Sequence, residues 1–149
     1  AHSNGYSLIR KVMERAKPDA AIESAAMAPT RIYVKPVLQL LEALPVKGLA
    51  HVTGGGLTGN VPRVLPRGTR AVLRRSSWPR PALFDWLQRE GGIAEDEMHR
   101  VFNCGIGMVV IVEGTSVDAA TALLRAAGET VYEIGAIEAH DGEPEALVV

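Results

Sequence analysis

One cysteine stands among 149 residues. Cys104 therefore has no partner for a disulfide within the chain, and stability has to come from packing. Long apolar runs are also missing. The longest, 106–112, is roughly a third of what a bilayer-spanning helix needs. The opening AHSNGYSLIRK has no apolar segment of the signal-peptide kind. Charge of one sign is absent: 16 Lys and Arg meet 17 Asp and Glu, for a formal net charge of −1. That balance gives no general attraction to nucleic acid or to an anionic membrane. His51, His99 and His140 show neither His-x-x-x-His spacing nor a cysteine pair, so no metal is expected. These absences point to a cytoplasmic, reducing setting, with neither nucleic acid nor membrane as partner. An initiator methionine is absent too, and Ala1 running straight into HSNGY reads as one domain of something longer.

What is present suits a single domain over 1–149, with 47% hydrophobic residues to fill a core. Leu8, Ile9, Val12 and Met13 give a helical stripe over 7–15. An alanine-rich loop is expected up to Pro29. A second helix covers 35–44, with Pro36 tolerated in its first turn and Pro45 closing it. Strands are expected over 48–52 and 69–73, a turn at 76–79, a helix over 81–90 and a short helix over 95–100. The run 107–112 reads as a central strand buried on both faces. Ser116 is placed to cap a helix carrying Val117, Ala120, Leu124 and Ala127, stopped by Gly128. Strands over 131–139 and 146–149 complete an α+β fold, a mixed β-sheet with helices packed on it.

The stretch HVTGGGLTGNVPRVLP, 51–66, poses the functional question. Gly54, Gly56 and Gly59 match G-x-G-x-x-G after a strand, but Pro62 and Pro66 leave little room for the long helix of a dinucleotide site. The acidic residue expected about 20 positions later is replaced by Arg74, Arg75 and Arg80. No Gly-Lys-Ser/Thr follows, which excludes a P-loop. Two readings remain open. Bare backbone N–H groups, helped by a short helix starting near Asn60, could hold a phosphate or carboxylate. Alternatively, the glycines serve a tight turn where backbone passes close to another segment.

Other groups are weighed in the same way. His2 titrates near neutral pH and sits among Ser3, Asn4 and Gly5, where it either binds an anion or belongs to a helix cap. Cys104 has no base at readable spacing and reads as a buried structural thiol. The six arginines from Arg63 to Arg80 lack interleaved aromatics apart from Trp78, so they read as a solvated edge with some phosphate-facing members.

Three segments, HSNGYSLIRK, HVTGGGLTGNVPRVLP and FDWLQREGGIAEDEMHRVFNCGIGM, together with PTRIYVKPV, closely resemble the aminoimidazole ribonucleotide synthetase (phosphoribosylformylglycinamidine cyclo-ligase) family. The likeness runs from His2 to about Gly135. Ala1 stands where leucine is common and Val101 where threonine is usual, and neither change removes a chemical group of interest. In that family HSNGYS opens the C-terminal domain, so the resemblance implies that an N-terminal domain binding ATP and Mg²⁺ precedes this one, and that the full-length enzyme is a homodimer. It implies ATP-dependent cyclisation of formylglycinamidine ribonucleotide to aminoimidazole ribonucleotide. The formyl amide oxygen is phosphorylated, and the amidine nitrogen then displaces phosphate as the ring closes. Carried onto this sequence, the likeness makes His2 the acid/base or amide-binding group. It assigns Ser3, Asn4, Thr53, Gly54, Gly55, Gly56, Asn60 and Arg63 to substrate or phosphate binding, with Asn103 a weaker candidate. The chain alone is then expected to be inactive. The alternatives are a related ATP-dependent enzyme, of the selenophosphate synthetase or thiamine-monophosphate kinase type, or a non-catalytic phosphate-ligand-binding domain.

Overall fold

A computed structural model describes residue 1 and residues 4–149. Helix α1 (Tyr6–Ala16) forms on its apolar stripe and buries Ile9 and Val12. It is followed by α2 (Ala20–Met27), where an alanine-rich loop was expected. The reason is local: the Asp19 side chain accepts the Ile22 N–H at 2.9 Å, and alanine is the best helix former. Tertiary contact adds to this, since Ile22 and Ala26 are buried and the Tyr6 hydroxyl donates to the Ala26 carbonyl at 3.1 Å.

Helix α3 (Val34–Ala43) carries Pro36 in its first turn, as the sequence suggests, and leads into strand β1 (Val46–His51). The glycines then open α4 (Gly56–Asn60), which passes at once into a 3-10 turn at Val61–Val64. The short helix thus starts at the third glycine of the triplet rather than near Asn60. Strand β2 (Thr69–Leu73), helix α5 (Ala82–Gly91) and helix α6 (Glu95–Val101) follow. Next come β3 (Met108–Val112), α7 (Val117–Ala126), β4 (Gly135–Ala139) and β5 (Glu145–Val148). A 3-10 turn at Gly114–Ser116 leads into α7, and the Ser116 side chain makes no capping bond.

The strands form two sheets among the described residues. β1 pairs antiparallel with β3, while β2 lies between antiparallel β4 and parallel β5. The fold is therefore α+β with mixed pairing, as expected, but β3 is not central. Its one strand neighbour is β1. Its two faces are apolar because they meet different clusters: Val109 and Ile111 join Ala50, Leu57 and Val61, while Val110 and Val112 join Leu40, Ala120 and Leu124. Strand β4 begins four residues later than the sequence suggests. At Gly135 it passes so close to Val72 and Leu73 of β2 that a Cβ would overlap the Val72 carbonyl. A third cluster, built by α1, α2, α5 and α6, includes Ile9, Phe84, Leu87, Met98 and Phe102.

Candidate functional site

The turn between β1 and α4 is built from the inside by Asn60. This side chain is buried, and its Nδ2 donates to the carbonyls of Gly56 at 2.8 Å, Gly54 at 3.1 Å and Thr53 at 3.3 Å. The Thr53 hydroxyl donates back to Asn60 Oδ1 at 3.4 Å. All peptides are trans, so the N–H following each carbonyl points the opposite way. With the carbonyls of Thr53 and Gly54 turned inward onto Asn60, the N–H groups of Gly54 and Gly55 point away from it. Among the described residues neither of these two N–H groups has a hydrogen-bond acceptor. Asn60 thus aims the turn rather than presenting its own amide to a ligand.

The three glycines do different things. Gly54 is exposed, and among the described residues a Cβ there would meet nothing nearer than Asn4 Cβ at 3.9 Å. Gly55 has φ +98°, a conformation that L side chains rarely adopt. Gly56 is buried, and its N–H is spent on the Thr53 carbonyl at 3.1 Å. A Cβ on Gly56 would overlap the His99 carbonyl and lie 2.8 Å from the Phe102 carbonyl oxygen. The close-packing reading therefore applies to Gly56, while Gly54 and Gly55 turn their backbone N–H groups outward.

The segment before α1 comes to the same place. Asn4 is half-buried beside Gly54, and its side-chain amide donates to the Val101 carbonyl at the end of α6. Gly5, at φ +78°, lets the chain cross the Phe102 ring, where a Cβ would collide. The end of α6 therefore supports both halves: His99 and Phe102 beneath the glycine turn, Val101 beneath Asn4. Nothing in the sequence spacing signals that role for α6. His2 and Ser3 lie outside the described residues.

The remaining candidates are placed plainly. Asn103 is buried and shapes a turn, its Oδ1 accepting the Gly105 N–H at 3.2 Å. Cys104 is fully buried, and burial pushes its thiol up to about 12. Five of the six arginines are tied to carboxylates rather than turned to a phosphate: Arg67 to Glu143, Arg70 to Glu138 and Glu145, Arg74 to Glu133, Arg75 to Glu95, and Arg80 to Asp85 and Glu95. Arg63 is exposed on the 3-10 turn after α4 and has no ion pair among the described residues. Among the same residues no three His, Cys, Asp or Glu side chains gather as a metal site.

Comparison with known proteins agrees with this geometry in extent. A family model described as "AIR synthase related protein, C-terminal domain" matches residues 1–145. Proteins named phosphoribosylformylglycinamidine cyclo-ligase are similar along the chain. That of Cupriavidus pinatubonensis is 60% identical over 100% of this chain and 45% of its own length. That of Paraburkholderia phymatum is 57% identical over 99% of this chain and 44% of its own. The chain thus spans about 45% of the length of these relatives. With the match covering all but the last four residues, the chain belongs to the AIR synthase related protein, C-terminal domain, family.

Proposed function

We propose that this chain is the substrate-side domain of an ATP-dependent phosphoribosylformylglycinamidine cyclo-ligase of purine biosynthesis. The observation that carries the reading is the outward N–H pair of Gly54 and Gly55 beside Asn4, brought together from opposite ends of a 50-residue stretch. Such a pair suits a ribose 5′-phosphate or the phosphoryl group in transfer, because unhindered N–H groups stabilise negative charge without reorganising. Thr53 and Asn60 hold the turn, and Arg63 is the nearby cation in sequence.

In this reading the ribonucleotide lies across Asn4, Gly54 and Gly55, and ATP reaches it from an N-terminal domain of the whole protein. The γ-phosphoryl passes to the formyl amide oxygen, giving an iminophosphate and ADP. The amidine nitrogen attacks the activated carbon, the C–O bond breaks, and inorganic phosphate leaves as the imidazole closes. Holding the flexible substrate in ring-closing geometry supplies about 7–11 kcal/mol at best. His2 is the acid/base candidate. His2→Ala is expected to lower kcat by about 10²–10⁴, the usual span for a general acid or base. The whole protein is proposed to be a cytoplasmic homodimer.

The test is turnover of formylglycinamidine ribonucleotide with ATP, following aminoimidazole ribonucleotide and ADP. The whole protein is expected to form both in equal amounts, and this chain alone to form neither. ADP formed without ring closure would favour a related ATP-dependent enzyme. Ligand binding without turnover in the whole protein would favour a binding module.

A further inference from the structure

One buried side chain of α6 has no part in the site as described so far. His99 is 3% exposed, yet among the described residues neither ring nitrogen completes a hydrogen bond. Its Nε2 lies 3.3 Å from Glu95 Oε1, close enough for an ion pair but off the line a hydrogen bond needs. The ring stands edge-on to Trp78, with centroids 6.4 Å apart and planes at 81°. Trp78 is itself fixed, since its indole N–H donates to the Cys104 carbonyl at 3.0 Å. Glu95, beside the ring's Nε2, is itself held by Arg80 at 3.0 and 3.1 Å, by Gln88 at 2.6 Å and by Arg75 at 3.4 Å. The ring therefore rests against two anchored neighbours. The carbonyl of this same residue is the one that closes on Gly56, leaving no room for a Cβ.

We propose that His99 is a positioning residue for the glycine turn: its ring, resting against Trp78 and Glu95, sets the height of its own carbonyl against Gly56 and so the direction of the Gly54 and Gly55 N–H groups. Close-packed interiors transmit such displacements rather than absorb them. Because neither nitrogen is bonded, the ring acts through its shape. A phenylalanine should therefore replace it, whereas alanine should not. The effect on substrate rests on the phosphate reading of the turn; the effect on the turn does not.

The experiment is made in the whole protein with His99→Ala and His99→Phe, using two readouts. The first is exchange of the Gly56 and Gly59 amides, which close the turn onto the Thr53 and Gly55 carbonyls, against the Arg74 amide, bonded to the Ile134 carbonyl just beyond the paired ends of β2 and β4. His99→Ala should speed the two turn amides by about tenfold or more while leaving Arg74 unchanged. The second is steady-state kinetics, where His99→Ala should raise KM for the ribonucleotide by about tenfold with kcat within roughly threefold. His99→Phe should restore both. Turn amides at wild-type rates in His99→Ala would overturn the proposal, as would a phenylalanine variant as impaired as alanine. Loosened amides with an unchanged KM would leave the positioning role standing and remove the phosphate reading of the turn. Should His99→Ala fail to fold, His99→Phe decides alone: wild-type exchange and KM support the proposal, and altered values sink it.

Discussion

At Asn60 a single amide satisfies three inward carbonyls, so the residue type matters more than its polarity. Asn60→Asp keeps the shape but turns a carboxylate oxygen towards those carbonyls. Removing the donor costs about 1–3 kcal/mol, even though the Thr53 carbonyl keeps the Gly56 N–H. Asn60→Asp should therefore lower the urea midpoint clearly, and Asn60→Ala by a similar amount. A midpoint equal to wild type in both would mean that the turn does not depend on this clamp. Gly5 offers a second residue-scale check. Its φ of +78° and the Phe102 ring beneath it predict that Gly5→Ala costs more than about 1 kcal/mol, read from chemical denaturation. Cys104 is predicted to be inert. With its thiol pushed up to about 12 by burial, it should resist iodoacetamide at pH 8 in the folded chain and react once the chain is unfolded.

At the scale of elements, the amphipathic stripes of α1, α5 and α7 are written in local spacing and appear where that spacing puts them. Strand β2 matches its sequence reading from Thr69 to Leu73. Helix α2 is not legible as a periodic stripe, because its short alanine-rich sequence carries one large aliphatic; its start depends on the Asp19 cap. The edge position of β3 was hidden for a different reason: an apolar run on both faces says that both are covered, not that strands lie on both sides. The candidate site was legible as a composition, three glycines and an HSNG segment, but not as an arrangement. The contacts that make it, Asn4 to Val101 and Gly56 to His99, join residues far apart in sequence, and no local pattern encodes them. The inward aim of Asn60 and the burial of Gly56 likewise emerge only once α6 is in place.

At the scale of the whole molecule, the Glu95–His99 cluster predicts acid sensitivity. Burial is the main influence on His99, and with Arg80 and Arg75 it outweighs the pull of Glu95, holding the imidazole below its ordinary 6.5. The unfolded chain then binds more protons than the folded one once pH falls below about 6.5, so stability is lost on acidification from there. Burial alone would raise Glu95, but hydrogen bonds from Gln88 and Arg80 override it and bring the carboxyl down to about 2 from 4.5. Its contribution is complete above 4.5 and drains away as pH falls towards 2. Denaturation midpoints measured from pH 7.5 downwards should therefore fall in two stages. His99→Phe should flatten the first stage and leave the second; an unchanged first stage would mean that His99 does not titrate with folding.

In the proposed function Gly54 and Gly55, aimed by Asn60 and flanked by Asn4, hold a phosphate of the ribonucleotide. Gly54 is the clean probe, because among the described residues a Cβ there meets only Asn4 Cβ, at 3.9 Å, an ordinary contact. The most direct measurement is the KM for formylglycinamidine ribonucleotide in the Gly54→Ala variant of the whole protein, with its melting temperature recorded alongside. The expected result is an unchanged melting temperature and a KM raised by about tenfold or more, equivalent to roughly 1.4 kcal/mol of lost binding. A normally folded variant with wild-type KM would contradict it.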